Sequence, residues 1–373
     1  LCISFSIKPR PINVVDGQTA RHFTAKAIGL TCGFWSIFAF LWLLISCEPS
    51  SPPKQLTSAF YHWKAVYKPG LTDKKVMREV NAKRLYLRFF DVDWDAAKRQ
   101  PVPKAVVQFV ERPAGLTVIP TVFITNRTML SLSASDVTGL AQHMVTKMQQ
   151  IAKEQQIRIG EVQLDCDWSP GSRDRYFALL TAVKKQLGLP VSATIRLHQI
   201  KYADRTGVPP VDRGMLMFYN MADWKEETTY NSILNMDVAN RYIGFIEKYP
   251  LPLDAVLPLF RWTIVYRQGR FLTILNNVTR SQLIRSTLLK TQADTNRFVA
   301  LHDTTAFGIS IRSGDLLRSE ACSQQALMQA RQALLSRIHN QQLTFALYHL
   351  DSTVLIPYPH DFLQTLLKPI TTP

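Results

Sequence analysis

Cysteine is scarce in this chain: five among 373 residues, of which only Cys166 and Cys322 follow position 47. That excludes a disulfide framework, although one bridge between the two stays open. Glycine is sparse too, at 15 residues, and no Gly-rich turn follows the first strand-like segment, where the chain reads YKPGLTDKK. A doubly wound dinucleotide-binding sheet would show its phosphate turn there. P-loop, HExxH, GxSxG and paired CxxC motifs are also missing, so no common hydrolase or zinc motif offers itself. Acidic residues are the minority, 28 against 44 Lys and Arg, for a net charge of +16. Yet no basic run exceeds a pair and no nucleic-acid module is visible. The charge therefore reads as a solvated surface that suits anionic lipid, and no nucleic-acid partner is expected.

Charge is absent from one long stretch. The nineteen residues from Ile28 to Ser46, IGLTCGFWSIFAFLWLLIS, carry none, with Arg21 and Lys26 before them and CEPSSPPKQ after. A basic region, an apolar region and a small residue before cysteine describe a secretory leader. Its end, Leu44-Ile45-Ser46-Cys47, resembles the bacterial lipobox. The resemblance implies cleavage before Cys47 and a diacylglycerol on its thiol: a lipoprotein, lipid-anchored in a bacterial cell envelope, at the outer membrane or periplasmic face. The alternative is a plain N-terminal anchor, since the stretch is just long enough to span a bilayer. Residues 1–46 are set apart as an upstream extension and signal peptide, 47–57 as a Pro- and Ser-rich tether, and 58–373 as one domain.

That domain alternates. Strand-like runs fall at 58–67, 84–92, 116–125, 161–168, 190–198, 214–221, 253–262 and 343–351. Helical patterns lie between several of them, at 135–153, 172–187, 232–248 and 320–339. The first opens on Ser135-Asp136 and repeats Val137, Leu140, Met144, Met148 and Ile151; the second stops at Gly188, with Pro190 beyond. Crossovers after the first, second and fifth strands look short, and the stretch from Arg270 to Glu320 is long enough for a hairpin or excursion. Eight strands in βα alternation predict an α/β fold, a single (β/α)8 TIM barrel.

Active sites of such barrels gather at the C-terminal strand ends. In EVQLDCDW, Val162, Leu164, Cys166 and Trp168 form the apolar face, so Glu161, Gln163, Asp165 and Asp167 point into the barrel. Two acids at i and i+2 lie about 6.6 Å apart along a strand, close enough to raise the pKa of at least one. The same alternation turns Ser192, Thr194, Arg196 and His198 inward in the fifth strand. Other strand ends offer His62, Trp63 and Lys64, then Arg88, Asp91 and Asp93, then Tyr219 and Asn220, Arg261 and Trp262, and His349 and Asp351. Carboxylates among flat aromatics and hydrogen-bonding Arg or His suit a carbohydrate.

The fourth strand, VQLDCDWS, resembles the DxxDxDxE signature of the family-18 chitinase-like glycosidases, and LMFYNM is similar to their Met-x-Tyr-Asp/Asn strand end. The resemblance implies a (β/α)8 barrel with Asp165 and Asp167 at the last two Asp positions and Tyr219 steadying the substrate's N-acetyl group. The position of the family's acid is Ser169, and its first Asp falls at Val162. In a catalytic reading Asp167, nearer the strand's end, is the expected general acid, with Asp165 as its charge partner. Substrate-binding roles fall to His62, Asp93, Trp168, Arg196, His198, Tyr219, Trp262 and His349. No cofactor is expected. The competing readings are a non-catalytic barrel that binds a glycan or a protein, and a metal-dependent hydrolase built on Asp165, Asp167 and a histidine. Each has a blander version, in which Arg196 merely pairs with the two acids and the histidines are satisfied in the barrel wall.

Overall fold

The structure, a computed structural model, describes residues 54–276, 278–292 and 296–368. The expected leader, Cys47 and most of the tether lie outside these residues.

The barrel is closed. Its parallel strands are β1 (Gln55–His62), β2 (Arg84–Asp95), β3 (Thr117–Ile124), β4 (Val162–Asp165), β5 (Val191–Arg196), β6 (Arg213–Met217), β7 (Leu253–Pro258) and β8 (Gln342–Tyr348). Each pairs with its sequence neighbour, and β1 closes the ring by pairing both β2 and β8. All eight expected strands are present. β1 begins at Gln55, inside the span read as tether, because Gln55 to Thr57 pair with Gln342 to Thr344 at the base of β8. β7 is buried along its whole length, as a strand covered on both faces must be, and its sequence LDAVLP is accordingly apolar but for Asp254.

Helices α1 (Leu71–Glu79), α2 (Val137–Gln155), α3 (Arg173–Leu187), α4 (Met236–Ile243), α5 (Gln324–Arg337) and α6 (His360–Leu367) form most of the outer layer. The apolar stripe of α2, including Leu140, Met144, Met148 and Ile151, is buried as its spacing requires. α3 ends where Gly188 takes a left-handed conformation, φ 63°. Cys166 and Cys322 are both free and buried, so no bridge joins them.

Two crossovers depart from the βα rule. Between β2 and β3 the chain makes a hairpin, with Gln100–Lys104 antiparallel to Asp91–Asp95. After β7 it leaves the barrel for a five-stranded antiparallel sheet built from 262–267, 270–275, 289–291, 297–300 and 316–320. This is the excursion expected from Arg270, starting earlier, at Trp262. It has its own small core, with Val265, Leu283, Phe298 and Leu317 buried.

Candidate functional site

Asp165 is the last residue of β4, buried at the floor of a cavity in the barrel mouth. Thr194 Oγ1 on β5 donates to its Oδ1 at 2.6 Å. Burial pushes the Asp165 carboxyl from 3.8 up to about 6; Asp167 and Asp91 add to the rise, while Arg196 and the Thr194 hydrogen bond oppose it. Asp167 lies two residues further on and is 56% exposed in its side chain. It accepts from Arg196 Nε at 2.5 Å and Nη2 at 3.4 Å. The Arg196 guanidinium lies over the Tyr219 ring at 5.6 Å, and its Nη1 is buried with no hydrogen-bond partner. A free donor thus lies beside the two carboxylates.

The walls are aromatic. Tyr348 stands 5.8 Å from Trp63 and 5.4 Å from Tyr219 between ring centres, and Phe260 stands 5.7 Å from Tyr219 and 5.2 Å from Trp262. Trp262 is fixed from behind, where its Nε1 donates to the buried Glu320 carboxylate at 2.9 Å. That carboxylate also accepts from the Ser232 amide and hydroxyl and from Arg318 Nε, at 2.6 to 2.8 Å. At the rim, Lys64 pairs with Asp351 at 2.6 Å, and Arg88 forms an ion pair with Asp91 beneath Trp63. The cavity encloses about 1020 Å3, at the upper end of the ~300–1,000 Å3 typical of ligand sites.

Asp165, Asp167, Arg196, Tyr219, Trp262 and His349 from the expected set line this cavity. Four other expected residues do not, each for a physical reason. Trp168 is buried on the helical side, its Nε1 donating to the Thr206 carbonyl at 2.9 Å and its ring stacked 5.4 Å from Tyr176. It packs α3 and offers no surface to a ligand. His62 is buried edge-on to Tyr67, where burial chiefly pulls its pKa down to about 4. Asp93 lies on the part of β2 beyond the barrel, bound by Arg127, Thr125 and the Trp94 amide, with its pKa lowered to about 2, first by Arg127. His198 is exposed on a short helix, because β5 stops at Arg196 and the in–out alternation stops with it.

Sequence reasoning passed over Tyr348, although Thr344 and Ala346 share its face between the outward Leu343, Phe345 and Leu347, a signal that was there to use. It also missed Asn276, Thr279, Gln282 and Arg285, which reach the cavity from the excursion. No strand alternation could have found those. Ser169 stands outside the cavity lining, in the turn before α3. Its amide donates to Ser172 Oγ at 2.9 Å, and its hydroxyl lies 3.3 Å from the same atom. Among the described residues, no three His, Cys, Asp or Glu side chains gather into a metal-ligating group.

No protein-family model matches the sequence, and no curated protein matches it. Solved structures do match. The spore cortex-lytic enzyme SleL of Bacillus cereus superposes with a TM-score of 0.52 at 13% identity, over 85% of this chain and 76% of the other. A chitinase from Chromobacterium violaceum gives 0.52 at 11% identity, over 83% and 98%. The fold is shared with both. The C-terminal domain of a putative chitinase from Desulfitobacterium hafniense adds a third, at 0.51 and 10% identity, over 85% and 100%. At these identities the likeness carries the chitinase-like barrel architecture, and the side chains of the mouth have to be argued on their own.

Proposed function

We propose that the barrel mouth binds a carbohydrate chain. The observation that carries this reading is an open cavity walled by Trp63, Tyr219, Phe260, Trp262 and Tyr348 that closes on the buried Asp165. Aromatic faces offer apolar area to the C–H faces of a sugar ring, while Arg196 and Asp167 offer hydrogen-bonding partners to its hydroxyls. The fold shared with a chitinase and a spore cortex-lytic enzyme supports it. Calorimetric titration with chitotetraose and a panel of other oligosaccharides tests it. At least one ligand is expected to bind, and Trp63→Ala to weaken it ~10-fold, about 1.4 kcal/mol. A panel that binds nowhere would sink the reading.

A second reading, hydrolysis, is favoured by the Asp165 carboxyl itself. With a pKa near 6 inside an open cavity, it holds a proton into the range where a general acid works. The expected role of Asp167 therefore passes to Asp165. Asp167 is engaged by Arg196, whereas Asp165 can deliver its proton to the glycosidic oxygen as the C–O bond breaks, with water bonding to the anomeric carbon and giving its proton back to the Asp165 carboxylate. Release of reducing ends should fall at least ~100-fold in Asp165→Asn; binding without any release leaves the non-catalytic barrel as the account.

Lipid attachment at Cys47 would hold the mouth at an envelope surface, and the sequence from Leu44 to Cys47 supports it. Incorporation of labelled palmitate that survives in Cys47→Ser would end this proposal.

A further inference from the structure

The charges of the mouth do not balance. Five cations line it, Lys64, Arg88, Arg196, Arg261 and Arg285, against four carboxyl groups, Asp165, Asp167 and Asp351 in the lining and Asp91 paired to Arg88. Three of the cations are spoken for: Lys64 by Asp351, Arg196 by Asp167, and Arg88 by Asp91. Arg261 uses one nitrogen to reach the Thr353 carbonyl at 2.5 Å and meets no carboxylate among the described residues. Arg285, exposed at the end of the short helix 280–285, has no ion-pair partner among them either. Arg196 Nη1 adds a buried donor without a partner.

Arg285 is exposed and Arg261 half-buried, so water solvates both until a ligand arrives, and an anionic group reaching them exchanges that water for charge-assisted hydrogen bonds. A guanidinium presents a planar fork of donors that fits a carboxylate, sulfate or phosphate in two-pronged fashion. Two guanidinium forks without a carboxylate partner among the described residues line the cavity, one in the link from β7 to the excursion and one on the excursion. A neutral sugar, whose hydroxyls Arg196, Asp167 and the Asn220, Asn276 and Gln282 amides can serve, has no need of them. The proton that burial keeps on Asp165 through mildly acidic pH removes part of the negative charge that could have offset them.

Resting on the carbohydrate reading, we propose that the mouth selects acidic saccharides, with Arg261 and Arg285 receiving the anionic substituent. Both residues touch the ligand directly in this arrangement. The excursion after β7 then carries a selective element as well as a wall.

The test is a matched pair: hyaluronan tetrasaccharide, which alternates N-acetylglucosamine with glucuronate, and the same tetrasaccharide with its carboxylates reduced to alcohols. Titration of the full chain at low salt should give at least ~10-fold tighter binding of the acidic form, the size of one charge-assisted hydrogen bond. The ratio should shrink towards one in Arg285→Gln and Arg261→Gln, and on raising salt. Arg241→Gln removes the same charge from an exposed site on α4, away from the cavity lining, and should leave the ratio unchanged. Equal affinity for the two forms, or preference for the neutral one, overturns the inference and leaves carbohydrate binding standing. A loss of preference in Arg241→Gln as large as in Arg285→Gln also overturns it, since bulk charge then suffices. If neither tetrasaccharide binds and the neutral panel does, acidic selection is wrong; if nothing binds, both readings fall.

Discussion

The buried carboxyl at the floor of the mouth makes its own stability signature. The Asp165 pKa rises from 3.8 to about 6 on folding. Between those values the folded chain holds a proton that the unfolded chain has released, so Asp165's contribution to stability falls as pH climbs from ~4 to ~6 and is then constant. A shift of about two units corresponds to roughly 3 kcal/mol. Asn keeps the shape and the acceptor for Thr194 without the charge. Asp165→Asn is therefore expected to be about 1–3 kcal/mol more stable than the parent at pH 7 and nearly equal to it at pH 4, measured by urea unfolding at both. An equal gain at the two pH values would show that packing, and not ionisation, is responsible. Residues in contact couple, and the double variant with Asp167→Asn should not equal the sum of the singles. The same proton links stability to function: any hydrolysis that needs it declines as pH passes 6.

At the level of elements, the sequence was most readable where one period governs a whole segment. Eight apolar runs and the long stripes of α2 and α3 were enough to place every barrel strand and to turn Gln163 and Asp165 inward, as their bonds to Tyr61 and Thr194 show. Readability stops at element ends. The alternation that placed Arg196 correctly was carried two residues too far, to His198, because the strand yields to a helix whose Gln199 side chain accepts from the Arg196 amide at 2.8 Å. Trp168 shares an outward face with Leu164 and Cys166, so its packing role was already implied by the period, and chemical type was the wrong guide. The excursion was foreseen as a hairpin or excursion from Arg270, without its strands or its start at Trp262. Its strands run three to six residues, too short for a period to declare itself. The turn at Gln268-Gly269, with φ 50° and 73°, is its clearest local signal. What fixes Trp262 in the wall is a carboxylate nearly sixty residues away, Glu320, and no local pattern records that pairing.

The molecule as a whole is tied together below the mouth, by a polar belt that no one segment contains. Tyr61 on β1 donates to Gln163 on β4, and Ser192 on β5 donates to Glu161 at 2.8 Å. Arg84 on β2 reaches Thr344 on β8 at 3.0 Å and faces Glu161 at 3.7 Å. Arg213 on β6 forks onto Asp254 on β7 at 2.6 and 3.0 Å, and Asp254 also accepts from the Thr344 amide at 2.7 Å. The Arg84 to Thr344 and Tyr61 to Gln163 links join strands far apart in the sequence, so they matter only once the ring has closed, while Asp254 ties three consecutive strands, β6, β7 and β8. Asp254 is 1% exposed, and removing it leaves the buried Thr344 amide without its acceptor and the half-buried Arg213 with only the Gln342 carbonyl. Asp254→Ala should therefore cost about 2–3 kcal/mol, and the cost should fall on the whole barrel. Urea unfolding followed by tryptophan fluorescence and by far-UV circular dichroism should shift together, because Trp63 and Trp262 at the mouth depend on the same closed ring as the helices outside it. Saccharide affinity per folded molecule should be unchanged, since neither Asp254 nor Arg213 lines the cavity. A loss under ~1 kcal/mol, or two probes that separate, would mean that the ring is held by its apolar layers alone and that the belt only fills space between them.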